Sequence, residues 1–251
     1  MVKAIMHGCS GRMGTMISQR AAECEGFEIV AGVDISGKAA FDYPVYTSLA
    51  EIKEQADVII DFSTAAAVDG LIEYSKQKKI PVVICTTGLS DAQVEAVKKL
   101  SNDVAVLRSG NMSLGINTVM KVLNEISPLL YNAGFDIEIV EKHHNKKLDA
   151  PSGTALMLAD AAAENLNEKP EYVFGRNERR AERPKDEIGI SAVRGGTIVG
   201  EHEVIFAGPD EIIEVKHTAL SRAVFANGAI NAALFLAGKK AGLYTMADVV
   251  G

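Results

Sequence analysis

The stretch that decides the fold is VKAIMHGCSGRMGTMISQRAAECEGFEIVAGVD, residues 2–34. A short apolar run, Val2 to His7, leads directly into glycines, and residues from about Met13 to Cys24 follow with helical spacing of their apolar side chains. Phe27 to Asp34 then alternates apolar with polar or small residues, as a strand does. This order of strand, glycine turn, helix and strand predicts the first βαβ unit of a parallel sheet.

Alternating strand-like and helix-like runs continue to about residue 109. They predict an α/β fold: an N-terminal Rossmann-type, doubly wound parallel sheet over residues 1–113. The apolar helix in AVFANGAINAALFLAGKKAG must bury most of its surface, so we expect residues 220–251 to complete that domain. Residues 114–219 predict a smaller α+β domain with an open mixed or antiparallel sheet. Two hairpin-type turns, at Gly195-Gly196 and Gly208-Pro209-Asp210, favour consecutive hairpins there.

Composition and charge exclude several classes of protein. The 251 residues include 33 Asp and Glu against 26 Lys and Arg, a net charge of −7, which argues against broad binding to nucleic acid or anionic membranes. The N-terminal segment reaches glycines too early for a signal peptide, and no apolar run has the length of a membrane span. Three widely spaced cysteines resemble neither a disulfide framework nor a zinc site. We expect a reduced, cytoplasmic protein.

The glycines of Gly8 to Gly14 allow a tight turn and a close approach to a pyrophosphate on the helix N-terminus. Their G-x-x-G-x-x-G spacing departs from the usual fingerprint, so context must support the prediction. Asp34 supplies it, because an acidic residue at the end of the second strand accepts hydrogen bonds from a ribose. Its charge favours NADH, whereas Lys38 leaves NADPH open.

Later strand ends carry small polar residues that suit a nicotinamide and its ribose. These segments are Phe62-Ser63-Thr64, Cys85-Thr86-Thr87-Gly88 and Ser109-Gly110-Asn111-Met112. Because ligands of open parallel sheets bind beyond the carboxyl ends of the strands, the segments together favour a bound dinucleotide. Ordinary turn chemistry remains the alternative at each one.

The segment EIVEKHHNKKLDAPSGTA, residues 138–155, combines groups that carry protons or hold anions near neutral pH. Two histidines end a strand, two lysines follow, and Ser152-Gly153-Thr154 opens a helix whose positive end suits a carboxylate. Three other interpretations stay open. The histidines could bind a metal, although adjacent strand residues diverge. Ser152 could serve as an N-cap, and the lysines could form a solvated loop.

That segment resembles the signature of the 4-hydroxy-tetrahydrodipicolinate (dihydrodipicolinate) reductase family. The resemblance extends through GCSGRMG, DVIIDFS, VICTTG, GNMSLGIN, AVRGGTIVGEHEVIFAG and SRAVFANGAI. It implies reduction of a small cyclic dicarboxylate with NADH or NADPH, in the diaminopimelate and lysine pathway. It also implies a homotetramer built through the sheet of the second domain. From the residues themselves we expect no bound metal, since no Glu-rich or Cys-rich partner of the histidines has ligand spacing. Some members carry a basic residue after the ribose-binding acid, where this chain has Ile35.

Roles for individual residues follow from the same resemblance. His143 matches the proton donor, and Lys147 matches the second catalytic residue. The positions implied to hold the substrate carboxylates are His144, Ser152, Gly153 and Thr154. The positions implied to hold the cofactor are Gly8, Cys9, Ser10, Gly11, Arg12, Met13, Asp34, Cys85, Thr86, Thr87, Ser109, Gly110, Asn111 and Met112, to which the strand-end argument adds Phe62.

Two other functions compete with the dicarboxylate reductase. One is a different two-domain nicotinamide dehydrogenase, whose covalent aldehyde-oxidising form would need Cys85 or Cys9 as its nucleophile. The other is a non-catalytic NADH sensor that binds a partner. The net negative charge and the lack of a DNA-reading helix pair in the sequence count against a repressor.

Overall fold

A computed structural model describes residues 1–38, 41–177 and 180–251. Two compact units make up this part of the chain. The first combines Met1–Leu114 with Ala223–Gly251, so the chain leaves this unit and later returns to it, and the second is Gly115–Arg222. Within the described ranges, no helix is long and apolar enough to cross a membrane.

Seven parallel strands form the sheet of the first unit. They are β1 (Val2–His7), β2 (Phe27–Val33), β3 (Val45–Tyr46), β4 (Val58–Asp61), β5 (Val82–Ile84), β6 (Ala105–Arg108) and β12 (Gly242–Tyr244). Their order is β12-β6-β5-β4-β1-β2-β3, and each neighbouring pair is parallel. The order reverses beside β1, which makes the sheet doubly wound and confirms the predicted Rossmann-type fold. Ligands of such sheets bind at this switch point.

Helices cover both faces of the parallel sheet. They are α1 (Arg12–Ala22), α2 (Ala65–Lys78), α3 (Asp91–Leu100), α6 (Ala223–Leu236) and α7 (Met246–Val250), with a 3-10 turn at Leu49–Glu51. Side chains of α1 and α6 pack on one face of the strands, and side chains of α2 and α3 pack on the other. The apolar α6 lies against α1 and against strands β4, β5 and β6.

The second unit is a five-stranded mixed sheet with helices on one face. Its elements are α4 (Leu114–Asn132), β7 (Asp136–His143), α5 (Gly153–Ala163), β8 (Glu171–Phe174), β9 (Glu187–Arg194), β10 (Gly200–Ala207) and β11 (Ile212–Ala219). The strand order is β11-β10-β7-β9-β8. Alternate residues of β7, among them Ile137 and Ile139, pack with side chains of α4 and α5. This alternation places every second residue of the strand on the helix-covered face.

One of the two predicted hairpins is absent. The turn at Gly208-Pro209-Asp210 does join an antiparallel pair, β10 and β11. Gly195-Gly196 does not, because β7 lies between β9 and β10 and pairs parallel with β9 and antiparallel with β10. The Gly195 amide donates to the His143 carbonyl, and the Asn145 amide donates to the Gly196 carbonyl. The turn is therefore anchored on the end of β7, and the hairpin prediction for Gly195-Gly196 is wrong.

Candidate active site

A cavity of about 1180 Å³ opens in the first unit where β1, β2 and β4 end. The residues of the predicted dinucleotide site that line it are Gly8, Ser10, Gly11, Asp34 and Phe62. It lies at the carboxyl ends of the strands and at the switch point of the sheet, which is where dinucleotides bind in such folds.

The turn from β1 into α1 leaves no room for side chains at two of its glycines. Gly8 has φ +83°, and a Cβ there would lie 2.5 Å from the Phe62 carbonyl oxygen. A Cβ on Gly14 would lie 2.2 Å from the Gly8 carbonyl oxygen. Both glycines are therefore required for the tight turn, and Gly8, Ser10 and Gly11 line the cavity directly ahead of α1, an arrangement that suits a pyrophosphate.

Asp34 is held in place at the edge of the cavity by two backbone amides. Its carboxylate accepts from the Ser36 amide at 3.0 Å and from the Ser10 amide at 3.2 Å. Partial burial acts to raise the pKa of Asp34, but these hydrogen bonds outweigh it and hold the pKa below its ordinary value. An ionised acceptor at this position fits a ribose diol. The neighbouring Ile35 is almost fully exposed and supplies no cation for a 2′-phosphate.

The remaining predicted cofactor residues differ in their exposure to solvent. Arg12, Thr87 and Gly110 are exposed, whereas Cys9, Cys85 and Met112 are buried in the apolar core and Met13 packs against it. Ser109 donates its hydroxyl to the Asn111 carbonyl at 2.8 Å. Thr86 is buried, and its Oγ1 has no hydrogen-bond partner among the described residues. A buried hydroxyl without a hydrogen-bond partner destabilises the folded protein unless a ligand supplies that partner.

Neither thiol near the cavity has the character of a nucleophile. Burial, reinforced by the negative charge of Asp61, raises the pKa of Cys85 well above its ordinary value. Burial also raises the pKa of Cys9. Covalent oxidation of an aldehyde requires a thiolate, so the structure gives that alternative no support.

In the second unit, Glu141 is the centre of a buried polar cluster at the end of β7. It is 0% exposed. One carboxylate oxygen lies 2.6 Å from His143 Nδ1, and the other accepts from the Ser152 amide at 2.9 Å. Arg194, the last residue of β9, donates to both oxygens at 2.7 Å. Burial acts to raise the pKa of Glu141, but the donors, Arg194 first, lower it below the ordinary value.

His143 is nearly buried beside a second imidazole. The His202 ring meets it edge to face, with centroids 5.1 Å apart. Burial lowers the pKa of His143, and Glu141 only partly offsets this effect. Burial and the proximity of His143 lower the pKa of His202 to about 4, so His202 is neutral at physiological pH. Of the two imidazoles, His143 is the one that hydrogen-bonds a carboxylate, which favours its cationic form.

The groups predicted to bind anions lie on the loop after β7 and at the start of α5. Lys147 Nζ is 2.8 Å from a carboxylate oxygen of Asp149, whose pKa is lowered mainly by that contact. Ser152 caps α5, because its hydroxyl accepts from the Ala155 amide at 3.2 Å. That hydroxyl also lies 3.0 Å from His202 Nε2. Gly153 is exposed and Thr154 is half-buried, at the first two positions of the helix.

The sequence prediction did not include Glu141, Arg194 and His202. Their signals were present in the quoted motifs: Glu141 precedes His143 by two residues and so shares its face of the strand, and GEH places His202 on β10. The described residues contain no group of three or more His, Cys, Asp or Glu side chains arranged to hold a metal ion.

Comparison with known families covers both units. The model of the N-terminal part of dihydrodipicolinate reductase matches residues 2–112, and the model of its C-terminal part matches residues 115–250. The chain belongs to the dihydrodipicolinate reductase family. Its members are reductases that use NADH or NADPH.

Relatives in the dihydrodipicolinate reductase family match over the full length. The 4-hydroxy-tetrahydrodipicolinate reductase of Caldanaerobacter subterraneus subsp. tengcongensis is 54% identical over 250 residues, which are 100% of this chain and 98% of the relative. That of Clostridium novyi is 52% identical with the same coverage. Among solved structures, dipicolinate-bound dihydrodipicolinate reductase from Paenisporosarcina sp. TG-14 superposes with a TM-score of 0.81 at 26% identity, covering 98% of this chain and 97% of that one.

Proposed function

We propose that this chain reduces 4-hydroxy-tetrahydrodipicolinate to tetrahydrodipicolinate with NADH or NADPH, as a step of diaminopimelate and lysine biosynthesis. The observation that carries the proposal is the buried Glu141–His143 pair beside Lys147, in a dihydrodipicolinate reductase family member matched over nearly its whole length. No feature of the described residues favours a sensor or another dehydrogenase.

The first unit is proposed as the dinucleotide-binding domain. Its glycine turn suits the pyrophosphate, and the ionised Asp34 suits a ribose. The buried Thr86 hydroxyl suits a polar substituent of the nicotinamide ring. When bound, the reduced nicotinamide supplies a hydride. The exposed apolar side chain of Ile35 offers no charge to a 2′-phosphate, so we expect NADH to be used at least as well as NADPH.

The second unit is proposed as the substrate-binding and oligomerisation domain. Dipicolinate is bound in the Paenisporosarcina relative, which supports a small ring dicarboxylate as the ligand class. We assign the carboxylates to Lys147, His144 and the start of α5 at Gly153 and Thr154, where the positive end of the helix dipole lies. Ser152 contributes by ordering this helix end, since its amide and hydroxyl are both engaged within the protein.

His143 is proposed as the proton donor. The dehydrated ring gains one hydride and one proton, and the hydroxylated ring additionally loses one water, so that atoms and charge balance. Negative charge develops on the ring as the hydride arrives, and a proton from the cationic form of His143 neutralises it. The activity should fall as pH rises through the pKa of His143, because the neutral imidazole has no proton to give from the free nitrogen.

We further propose that the protein is a cytoplasmic homotetramer assembled through the sheet of the second unit. The face of this sheet opposite α4 and α5 carries the apolar side chains Val140, Val193 and Ile205. Val193 is 44% exposed in the single chain. An apolar strip on an otherwise charged sheet face is typical of a surface that pairs with another subunit. Placement in the cytoplasm follows from the need for a pool of reduced dinucleotide.

The test is loss of NADH absorbance when purified protein meets freshly generated 4-hydroxy-tetrahydrodipicolinate, with NADPH in parallel. Rapid oxidation is the expected result, and the ratio of the two rates measures the cofactor preference. An H143Q variant provides the control for substrate-independent oxidation. If neither cofactor is oxidised although NADH binds, the reductase assignment is wrong and the sensor hypothesis gains.

A further inference from the structure

The hydrogen-bonding chemistry of Glu141 determines which nitrogen of His143 can transfer a proton. An ionised carboxylate can only accept hydrogen bonds, so Nδ1 of His143, 2.6 Å from the oxygen, must carry the hydrogen. A neutral imidazole has one N–H, and the other nitrogen is then a bare acceptor. Among the described residues, none hydrogen-bonds Nε2 of His143.

We infer that Glu141 is a positioning residue for His143: its buried carboxylate fixes the Nδ1–H tautomer, which makes Nε2 the nitrogen that holds and releases the catalytic proton. The catalytic role of this proton rests on the proposed reductase function. The tautomer itself is a property of the protein alone and can be measured without substrate.

Glu141 has the partners that keep it ionised. Two donors come from Arg194, one from the Ser152 amide and one from His143, and together these match the lone-pair sites of a carboxylate. With its acceptor sites filled and its side chain 0% exposed, Glu141 has no position left for a substrate or a water. It therefore acts through His143 and does not itself exchange the proton.

The surroundings of Nε2 are kept clear by a glycine. A Cβ on Gly200, the first residue of β10, would lie 3.1 Å from Nε2. Any larger side chain would occupy the side of the ring from which a proton must leave. The charged and titratable groups that face His143 are Glu141 on its own strand, Arg194 on β9, His202 on β10 and Lys147 on the following loop. Only Glu141 among them stabilises the imidazolium.

The same carboxylate joins the proton donor to the anion-binding helix end. By accepting from the Ser152 amide, Glu141 fixes the residue that caps α5, and the Ser152 hydroxyl lies against the neutral His202 ring that packs on His143. One residue thus orients both halves of the proposed substrate site. Loss of its charge should affect turnover through the acid more than substrate binding through the loop.

The first measurement is the tautomer of His143 in the wild-type protein. The five histidines are labelled with 15N, and H143Q identifies the relevant signals in a long-range 1H–15N spectrum recorded above the pKa of His143. A protonated Nδ1 and an unprotonated Nε2 are expected. A neutral ring with hydrogen on Nε2 would overturn the inference, and this result does not depend on catalytic activity.

The second measurement compares E141Q with a matched control, E138Q. Both change a glutamate of β7 that pairs with arginine, but Glu138 contacts Arg176 and Arg183 and not His143. In E141Q we expect kcat to fall by about 10²-fold, the lower end of what general acid catalysis contributes, with KM little changed. Glu141 raises the pKa of His143, so the falling limb of kcat/KM should move to lower pH. In E138Q the limb should stay in place.

Each outcome decides a separate question. An unmoved limb in folded E141Q, or equal losses in E141Q and E138Q, would show that Glu141 is merely structural. If E141Q does not fold, the wild-type tautomer still decides the inference. If the wild-type enzyme oxidises neither cofactor, the proposed function is wrong. The tautomer of His143 can still be determined from the NMR spectrum, so the two failures are distinguishable.

Discussion

His143 and His144 are adjacent in the chain, yet their surroundings predict different defects on substitution. His143 is buried and bonded to Glu141, whereas His144 is half-buried just beyond the end of β7. H143Q removes the proposed proton donor and should lower kcat by about 10²–10⁴-fold, the usual contribution of a general acid, with little change in KM. H144Q should instead raise KM. Steady-state kinetics with both variants checks these two predictions. Near-normal turnover in H143Q would show that His143 is not the general acid.

Lys147 is already paired with a carboxylate of its own chain. Asp149 lies 2.8 Å away and is 59% exposed, so a substrate carboxylate has to compete with it. Exposed ion pairs contribute at most about 1 kcal/mol, which corresponds to roughly fivefold in affinity. D149N should therefore lower KM by no more than this factor, while K147A should raise KM and lower kcat. An increase of KM in D149N would mean that Asp149 supports the bound state instead.

Prediction at the scale of residues succeeded where a side chain is defined by its local motif. The position of Ser152 before a helical run predicts an N-cap, and Ser152 does cap α5. The local sequence predicts no role for Glu141, because its importance depends on Arg194, which is distant in sequence and meets it only through the pairing of β9 with β7. A partner supplied by a neighbouring strand cannot be assigned from local spacing.

Between elements of the first unit, α6 packs tightly against the segment after β6. A Cβ on Gly228 of α6 would lie 1.6 Å from the Met112 carbonyl oxygen, so the helix contacts the backbone directly. G228A should destabilise the protein by about 1–3 kcal/mol, as overpacking does, and lower Tm by several degrees. G70A in α2 is the matched control, since a Cβ there meets nothing within 4 Å. It should stabilise by about 0.4–1 kcal/mol. Thermal unfolding without cofactor compares them, and equal shifts would contradict the packing argument.

The order of elements along the chain predicted the parallel sheet better than the mixed one. In the first unit, β1, β4 and β5 are each followed by a helix, and the right-handed crossover rule leaves few arrangements for them. In the second unit, β9 and β10 are separated by a glycine turn that has the composition of a hairpin, yet β7 lies between them. The pairing is decided by a strand more than forty residues earlier, so turn composition alone could not reveal it.

For the whole molecule, the open face of the second sheet predicts how copies of the chain associate. Val193 is on the face away from Glu141 and Arg194, next to Lys142 in the register, and is 44% exposed. A carboxylate introduced there would be buried on assembly, and the neighbouring Lys142 is already paired with Glu201, so the new charge would be poorly compensated, which is strongly unfavourable.

V193E should therefore reduce the mass in solution from four times 26.7 kDa toward that of one or two chains. Light scattering at micromolar concentration measures the mass directly. L243E is the control, because Leu243 is similarly exposed, at 48%, but lies on β12 of the first unit. If V193E keeps the mass of four chains, or if the unmodified protein is a monomer, the sheet face is not the assembly surface. If both variants dissociate, each sheet contributes an interface, and the apolar strip on the second unit is only part of it.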